Sequence, residues 1–184
     1  MVLTPPSGCG RRTGPGVDFW MNRHVIPALM PTYNRADLAF ERGEGAWLWT
    51  ADGRRFLDFG AGIATTSLGH AHSHLTEAIA GQLGKVMHVS NLYRVPQADR
   101  LAQRLVESSF ADSVFFCNSG AEANEGMIKA VRKHYAETGR PERFRMICFE
   151  GAFHGRSTGA IAASGAEKMV KGFGPLMPGF RTLP

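Results

Sequence analysis

The residues of this chain most able to do chemistry lie where an apolar run passes directly into a helical pattern. Val114–Cys117 is the apolar run, and Asn118, Ser119 and Gly120 follow it. The first turn of a helix leaves backbone N–H groups without partners and carries the positive end of the helix dipole. A phosphate can therefore be bound there by main chain alone, and Gly120 would let such a ligand approach closely.

Ser119 and Glu122 also have a purely structural interpretation. A Ser followed three residues later by a Glu forms a capping box, which closes the start of a helix without any ligand. A carboxylate at Glu122 would in addition repel a phosphate. The phosphate hypothesis therefore requires the Glu122 side chain to turn away or to be paired, and the sequence leaves both interpretations open.

A second junction of the same kind follows the predicted strand Arg145–Phe149. It places an aromatic ring at Phe153 and a guanidinium at Arg156. The ring can stack on a planar heteroaromatic group, and the guanidinium can bind a carboxylate through two hydrogen bonds. Parallel sheets bind ligands at the carboxyl ends of their strands, where both junctions fall. Together they predict a phosphorylated, planar cofactor beside a carboxylate substrate.

The composition is that of an ordinary folded domain. The 184 residues are 43% hydrophobic and 20% charged, and 21 Lys and Arg against 16 Asp and Glu give a formal charge of +5. The basic residues are scattered and are not interleaved with aromatics, so we expect no nucleic-acid partner and assign the positive bias to anionic small molecules. No apolar run approaches the roughly 18 residues that a membrane span needs, so no membrane partner is expected.

Cysteine and histidine spacing does not predict a metal site. The three cysteines lack paired spacing, and two of them, Cys117 and Cys148, lie in strands predicted to be buried, which favours a reducing cytoplasm over a disulfide framework. His70, His72 and His74 alternate along one segment without a carboxylate at helical spacing. We interpret these histidines as turn or surface residues rather than as zinc ligands.

The chain divides into three stretches. Residues 1–20 are rich in Gly, Pro and Ser and are predicted to be disordered or an extension. Residues 21–65 hold an N-terminal segment and a small antiparallel meander, because short aromatic or aliphatic runs are separated by glycines and Asp52-Gly53 is a strong hairpin signal. Residues 66–184 are predicted to form the first part of a large cofactor-binding α/β domain.

Helix and strand patterns alternate within the third stretch. Apolar residues at helical spacing predict one helix that ends at Gly84 and another over Pro96–Ser109. The remaining predicted elements are a strand at 113–117, a helix at 120–137, a strand at 145–149 and a helix near 166–171. This order is typical of a parallel sheet covered by helices. No strand is predicted in Gly172–Pro184, and two parallel strands are fewer than the five or so of an average sheet, so a truncated protein is expected.

These residues, in this order, resemble the class III aminotransferases, which depend on pyridoxal phosphate, and within them the acetylornithine aminotransferase group. The resemblance runs from about Pro27 to Pro184. Its matching stretches are Tyr33–Arg35, Phe40–Trp49, Leu57–Ala64, Leu68–His70, Ser90–Tyr93, Asn118–Glu125 and Phe149–Arg156. The resemblance implies the PLP-dependent transferase fold type I, an α/β fold in which a small N-terminal meander precedes the first part of a large parallel or mixed-sheet domain.

The resemblance also implies a role for each candidate cofactor-binding residue. Ser119, Gly120 and Ala121 would hold the phosphate of pyridoxal 5'-phosphate, and Phe153 would stack on its pyridine ring. These roles agree with the phosphate and stacking interpretations that the residue types suggest by themselves.

On the substrate side, the resemblance implies that Arg156 binds the α-carboxylate and that Tyr33 lines the pocket. The implied reaction transfers the δ-amino group of N2-acetylornithine to 2-oxoglutarate, as in arginine biosynthesis, within a cytoplasmic homodimer. The Asn91–Tyr93 segment favours acetylornithine or succinylornithine as the amino donor. Ornithine or another ω-amino acid is the alternative.

No catalytic residue is assigned in the chain. The lysine that the family bonds to the cofactor would lie further along, and none of the five lysines after the meander matches its motif: Lys85, Lys129, Lys133, Lys168 and Lys171. The 184 residues alone are therefore expected to be inactive. A noncatalytic module that binds pyridoxal phosphate or mediates dimerisation is the alternative function.

Overall fold

The computed structural model describes residues 28–184, which fall into two units, residues 28–88 and Val89–Pro184. The predicted extension at residues 1–20 lies outside the described residues. The predicted domain boundary near residue 66 stays a prediction.

The first unit contains the predicted antiparallel meander. β1 (Phe40–Glu44), β2 (Trp47–Thr50) and β3 (Arg55–Leu57) lie side by side in that order, and both pairings are antiparallel. The hairpin between β2 and β3 turns through Asp52 and Gly53. Gly53 has a φ of +85°, which glycine adopts without the steric cost of a Cβ atom. The hairpin prediction from Asp52-Gly53 is therefore confirmed.

A short turn and one regular helix follow in the same unit. α1 (Ala61–Ala64) is a short turn, and α2 (Ser73–Leu83) ends at Gly84 as the sequence predicts. The apolar residues of α2 share one face, yet those from Leu75 to Leu83 stay about half exposed. Helical periodicity therefore locates this helix correctly, whereas the described part of the unit does not bury its apolar face.

The second unit alternates helices and strands. Its elements are α3 (Pro96–Glu107), α4 (Gly120–Glu137), β4 (Met146–Phe149), α5 (Thr158–Ser164), α6 (Glu167–Val170) and β5 (Phe180–Leu183). β4 and β5 pair in parallel, from Met146 opposite Phe180 to Phe149 opposite Leu183. The connection between them runs through α5 and α6, which is the βαβ arrangement that the alternating pattern predicts.

The core of the second unit forms around α5. Every residue from Gly159 to Ser164 is buried, and Ile128 of α4 and Cys148 of β4 are buried as well. The sequence of α5 is Thr-Gly-Ala-Ile-Ala-Ala-Ser, whose small side chains allow neighbouring backbones to approach closely. Because all sides of this helix are buried, it has no amphipathic period, and sequence patterns did not predict it.

The predicted strand at 113–117 is not formed, and this prediction was wrong. A strand is defined by hydrogen bonds to a neighbouring strand, and residues 28–184 place no strand beside this segment. Phe115 is 73% exposed, and Cys117 is exposed rather than buried. The prediction of no strand in Gly172–Pro184 was also wrong, because β5 pairs there with β4 despite the flanking glycines and prolines.

Over residues 28–184, no helix combines the length and the apolar character needed to cross a membrane.

Candidate cofactor and substrate site

The start of α4 forms the capping box that its sequence predicts. Ser119 precedes the helix in an extended conformation, and its Oγ accepts a hydrogen bond from the backbone N–H of Glu122 at 3.2 Å. The Glu122 carboxylate turns back and accepts from the backbone N–H of Asn118 at 2.7 Å and from its side-chain amide at 3.0 Å. Glu122 is therefore paired, which is the condition that the phosphate hypothesis requires.

The capping box leaves two amides of the first turn available. Gly120 and Ala121 occupy the first and second helical positions, and no described residue accepts a hydrogen bond from either N–H. A Cβ atom added at Gly120 would meet nothing within 4 Å, so the space beside its backbone is open. Both amides lie at the positive end of an 18-residue helix. The capping box and an anion-binding turn are therefore compatible in this structure.

The second junction packs directly against this turn. Gly155 is buried with a φ of +119°, and a Cβ atom there would lie 2.7 Å from the Cβ atom and 2.9 Å from the Cα atom of Ala121. The Asn124 side-chain nitrogen donates to the carbonyl oxygens of Gly120 and His154, each at 3.0 Å. One amide group thus joins the two junctions, and they lie together at the carboxyl end of β4.

Phe153 and Arg156 flank the contact between the junctions. The Phe153 ring is 70% exposed, so its faces are open to a ligand. Arg156 lines a cavity of about 410 Å³ together with Lys168 and four other residues, Thr158, Ile161, Met169 and Phe173. Two cationic side chains and an apolar wall are features that suit a carboxylate-bearing molecule.

Asn124 and Glu125 were missed by the sequence analysis. The Glu125 carboxylate accepts from the Ser157 hydroxyl at 2.6 Å and from the backbone N–H of Gly159 at 3.1 Å. A signal was present, because Asn124 and Glu125 follow Gly120 and Ala121 by four residues and therefore lie on the same helix face. That spacing does not predict the partners of Asn124 and Glu125, which lie some 30 residues further along the chain at residues 154–159.

Tyr33 belongs to the first unit. Its ring is 57% exposed, and the Arg35 guanidinium carbon lies 5.5 Å from the ring centroid. The predicted place of Tyr33 in the substrate pocket stays a prediction.

The first of the three alternating histidines makes a side-chain contact with a carboxylate. His70 Nε2 lies 2.7 Å from a carboxylate oxygen of Asp58, while His72 and His74 are exposed. The hydrogen bonds from His70 and from the backbone N–H groups of Ala61 and Gly60 hold the pKa of Asp58 below its usual range. In the part of the chain that the structure describes, no three His, Cys, Asp or Glu side chains group as metal ligands.

The arrangement of this chain is that of a known enzyme class. The profile of the class-III aminotransferase family matches residues 30–184, and the chain belongs to that family. It is 61% identical over 160 residues to an acetylornithine aminotransferase from Rhodobacter capsulatus, a match that covers 87% of the chain and 41% of that relative. The chain thus spans about two fifths of the length of the curated relatives that it matches.

Solved structures show the same likeness. N-acetylornithine aminotransferase from Stenotrophomonas maltophilia is 40% identical with a TM-score of 0.64, over 82% of the chain and 36% of that protein. An amine transaminase from an uncultivated Pseudomonas species, described in a PLP-bound form, is 26% identical with a TM-score of 0.75, over 87% of the chain and 37% of that protein. The fold predicted from the sequence, type I of the PLP-dependent transferases, is confirmed.

Proposed function

We propose that the protein carrying these 184 residues is a pyridoxal-phosphate-dependent aminotransferase that transfers the δ-amino group of N2-acetylornithine to 2-oxoglutarate, a step of arginine biosynthesis. One observation carries this proposal: the open amides of Gly120 and Ala121 lie against the loop that bears Phe153 and Arg156. Membership of the class III family and 61% identity to an acetylornithine aminotransferase support it.

The residues present fit the phosphate and the ring of the cofactor. The N–H groups of Gly120 and Ala121 would donate to phosphate oxygens, and the Ser119 hydroxyl retains a proton to donate because its oxygen serves as the helix cap. The exposed Phe153 ring would stack on the pyridine ring. When bound, pyridoxal phosphate supplies an electron sink for the amino group's carbon.

Arg156 would select substrates by their carboxylate. A guanidinium binds a carboxylate through two parallel, charge-assisted hydrogen bonds, each worth about 1.5–3 kcal/mol. Lys168 lines the same cavity and adds a second positive charge. The α-carboxylate of the amino donor is remote from its reacting δ carbon, and the γ-carboxylate of 2-oxoglutarate is likewise remote from its reacting carbonyl carbon, so one such site can hold each of these carboxylates in turn.

The identity of the amino donor is a separate part of the proposal. Succinylornithine, ornithine and other ω-amino acids share the δ- or ω-amino group, so glutamate formation with each donor should be compared at equal concentrations. We expect the highest kcat/KM with N2-acetylornithine. We also propose that the protein acts as a cytoplasmic homodimer, which size-exclusion chromatography with light scattering and cell fractionation would test.

A proline at position 120 tests the phosphate site. Proline is accepted at the first helical position, where α3 already carries Pro96, and the extended Ser119 is compatible with a following proline. Gly120→Pro therefore removes one N–H while keeping the helix. Loss of one charge-assisted hydrogen bond, about 1.5–3 kcal/mol, predicts a Kd for pyridoxal phosphate that rises roughly 10- to 150-fold.

Gly120→Ala is the matched control, because it adds a methyl group but retains the N–H. The protein expressed from its complete reading frame should be titrated with pyridoxal phosphate by absorbance, with a thermal melt to verify folding. If Gly120→Pro binds the cofactor as tightly as Gly120→Ala does, the amide at position 120 does not hold the phosphate.

A further inference from the structure

The start of α5 is held by a side chain of α4. Ser157 is the residue that precedes α5, and its hydroxyl does not cap its own helix. It donates instead to Glu125 Oε1 at 2.6 Å, and the same oxygen accepts from the backbone N–H of Gly159 at 3.1 Å. The Glu125 carboxylate thereby provides both an acceptor and a negative charge at the positive end of α5.

A side chain at position 159 would displace the Glu125 carboxylate from its present position. A Cβ atom added to Gly159 would lie 2.6 Å from each carboxylate oxygen. Gly159 is buried, and Ser157 and Glu125 are both partly buried. The contact is therefore a tightly fitted one inside the second unit and not a bond between flexible surface groups.

Asn124 makes the companion contact one residue earlier on α4. Its side-chain amide donates to the His154 carbonyl oxygen, and Gly155 packs on Ala121. Arg156 is the residue between these two anchored points, because His154 and Gly155 precede it and Ser157 follows it. Its backbone is consequently fixed from both sides by residues of α4.

We propose that Asn124 and Glu125 are positioning residues that set the direction of Phe153 and Arg156 relative to the amides of Gly120 and Ala121. This inference rests on the function proposed above and adds two residues to its site. Productive binding requires groups held to within about 0.5 Å, and a displacement of 1 Å can cost on the order of a hundredfold in rate. Residues that hold the loop to the phosphate-binding turn thus control both halves of the site.

Three variants of the protein expressed from its complete reading frame test the role of Glu125. Glu125→Ala removes the acceptor, and Glu125→Gln retains an oxygen for Ser157 and Gly159. Glu137→Ala removes an exposed carboxylate of the same helix that pairs with Lys133. Each variant is assayed for KM and kcat with N2-acetylornithine under saturating pyridoxal phosphate, and for hydrogen exchange of the Gly159 amide.

We expect Glu125→Ala to lower kcat/KM by on the order of a hundredfold, mainly through KM, because a displaced Arg156 binds the carboxylate poorly. Glu125→Gln should recover most of that loss, and Glu137→Ala should match the wild type. The Gly159 amide should exchange faster in Glu125→Ala than in the other two variants. Asn124→Ala should lower kcat/KM as Glu125→Ala does. Asn124→Asp should not recover the activity that Asn124→Ala loses, since a carboxylate cannot donate to the His154 carbonyl.

The transamination activity of the wild type separates this inference from the proposed function. A wild type without transamination overturns the proposed function, and the positioning role in that reaction is lost with it, even if the Gly159 amide depends on Glu125. An active wild type in which Glu125→Ala keeps the KM and kcat of Glu137→Ala overturns the positioning role alone. A loss of kcat/KM that Glu125→Gln does not rescue would also contradict it.

Discussion

Replacing Gly155 by alanine tests the contact on which the site is built. The new methyl carbon would lie 2.7 Å from the Ala121 Cβ atom, 2.9 Å from the Ala121 Cα atom and 3.3 Å from the Ala160 Cβ atom. Two of these distances are far below normal carbon contacts of about 3.5–4.0 Å. Since the Ala121 Cα atom is helix backbone, the loop and not the helix would have to move.

The expected loss of stability has two parts. Forcing a methyl group into a packed contact costs about 1–3 kcal/mol, and a φ of +119° in a residue with a Cβ atom costs about 1–3 kcal/mol more. We therefore expect Gly155→Ala to lower the free energy of unfolding by roughly 2–6 kcal/mol, a large share of the 5–15 kcal/mol that stabilises a typical protein.

Gly139→Ala is the control for the backbone part of this loss. Gly139 also has a positive φ, +72°, but a Cβ atom there would meet nothing within 4 Å. It should lose only about 1–2 kcal/mol. Urea unfolding of both variants, monitored by circular dichroism, gives the difference directly. If Gly155→Ala is no less stable than Gly139→Ala, loop 153–156 does not pack on α4, and the proposed site is refuted.

Two further expectations concern ionisable groups. Because the folded pKa of Asp58 is lowered from its ordinary 3.8, its stabilising effect is complete above that value and is lost as the pH falls through the lowered pKa. Asp58→Asn should therefore reduce the loss of stability in acid, which urea midpoints measured from neutral pH down to about pH 3 would show. If the variant and the wild type lose the same stability in acid, the hydrogen bonds to the Asp58 carboxylate from His70 and the neighbouring backbone are contradicted. Burial raises the pKa of the Cys148 thiol, whereas Cys117 is exposed, so iodoacetamide should label Cys117 first by peptide mass spectrometry. Equal labelling of the two thiols in the folded protein would show that Cys148 is not buried.

The sequence by itself determined those helix and hairpin ends that are set by interactions between residues close together in the chain. Asp52-Gly53 predicted the hairpin, Ser119 with Glu122 predicted the start of α4, and Gly84 predicted the end of α2. Each signal acts over about four residues or fewer, so no tertiary contact is needed to recognise it. The candidate residues at 119–121, 153 and 156 followed from these elements, from their types and from a family resemblance.

Only the tertiary structure decided which elements were buried and what held the two junctions together. α5 is buried on every side and so has no amphipathic period, and β5 is recognisable only by its pairing with β4. The apolar run Val114–Cys117 stayed unpaired because no strand among the described residues lies beside it. The contacts of Asn124 and Glu125 cross 30 to 34 residues of sequence, and such partners are set by packing, which local patterns do not encode.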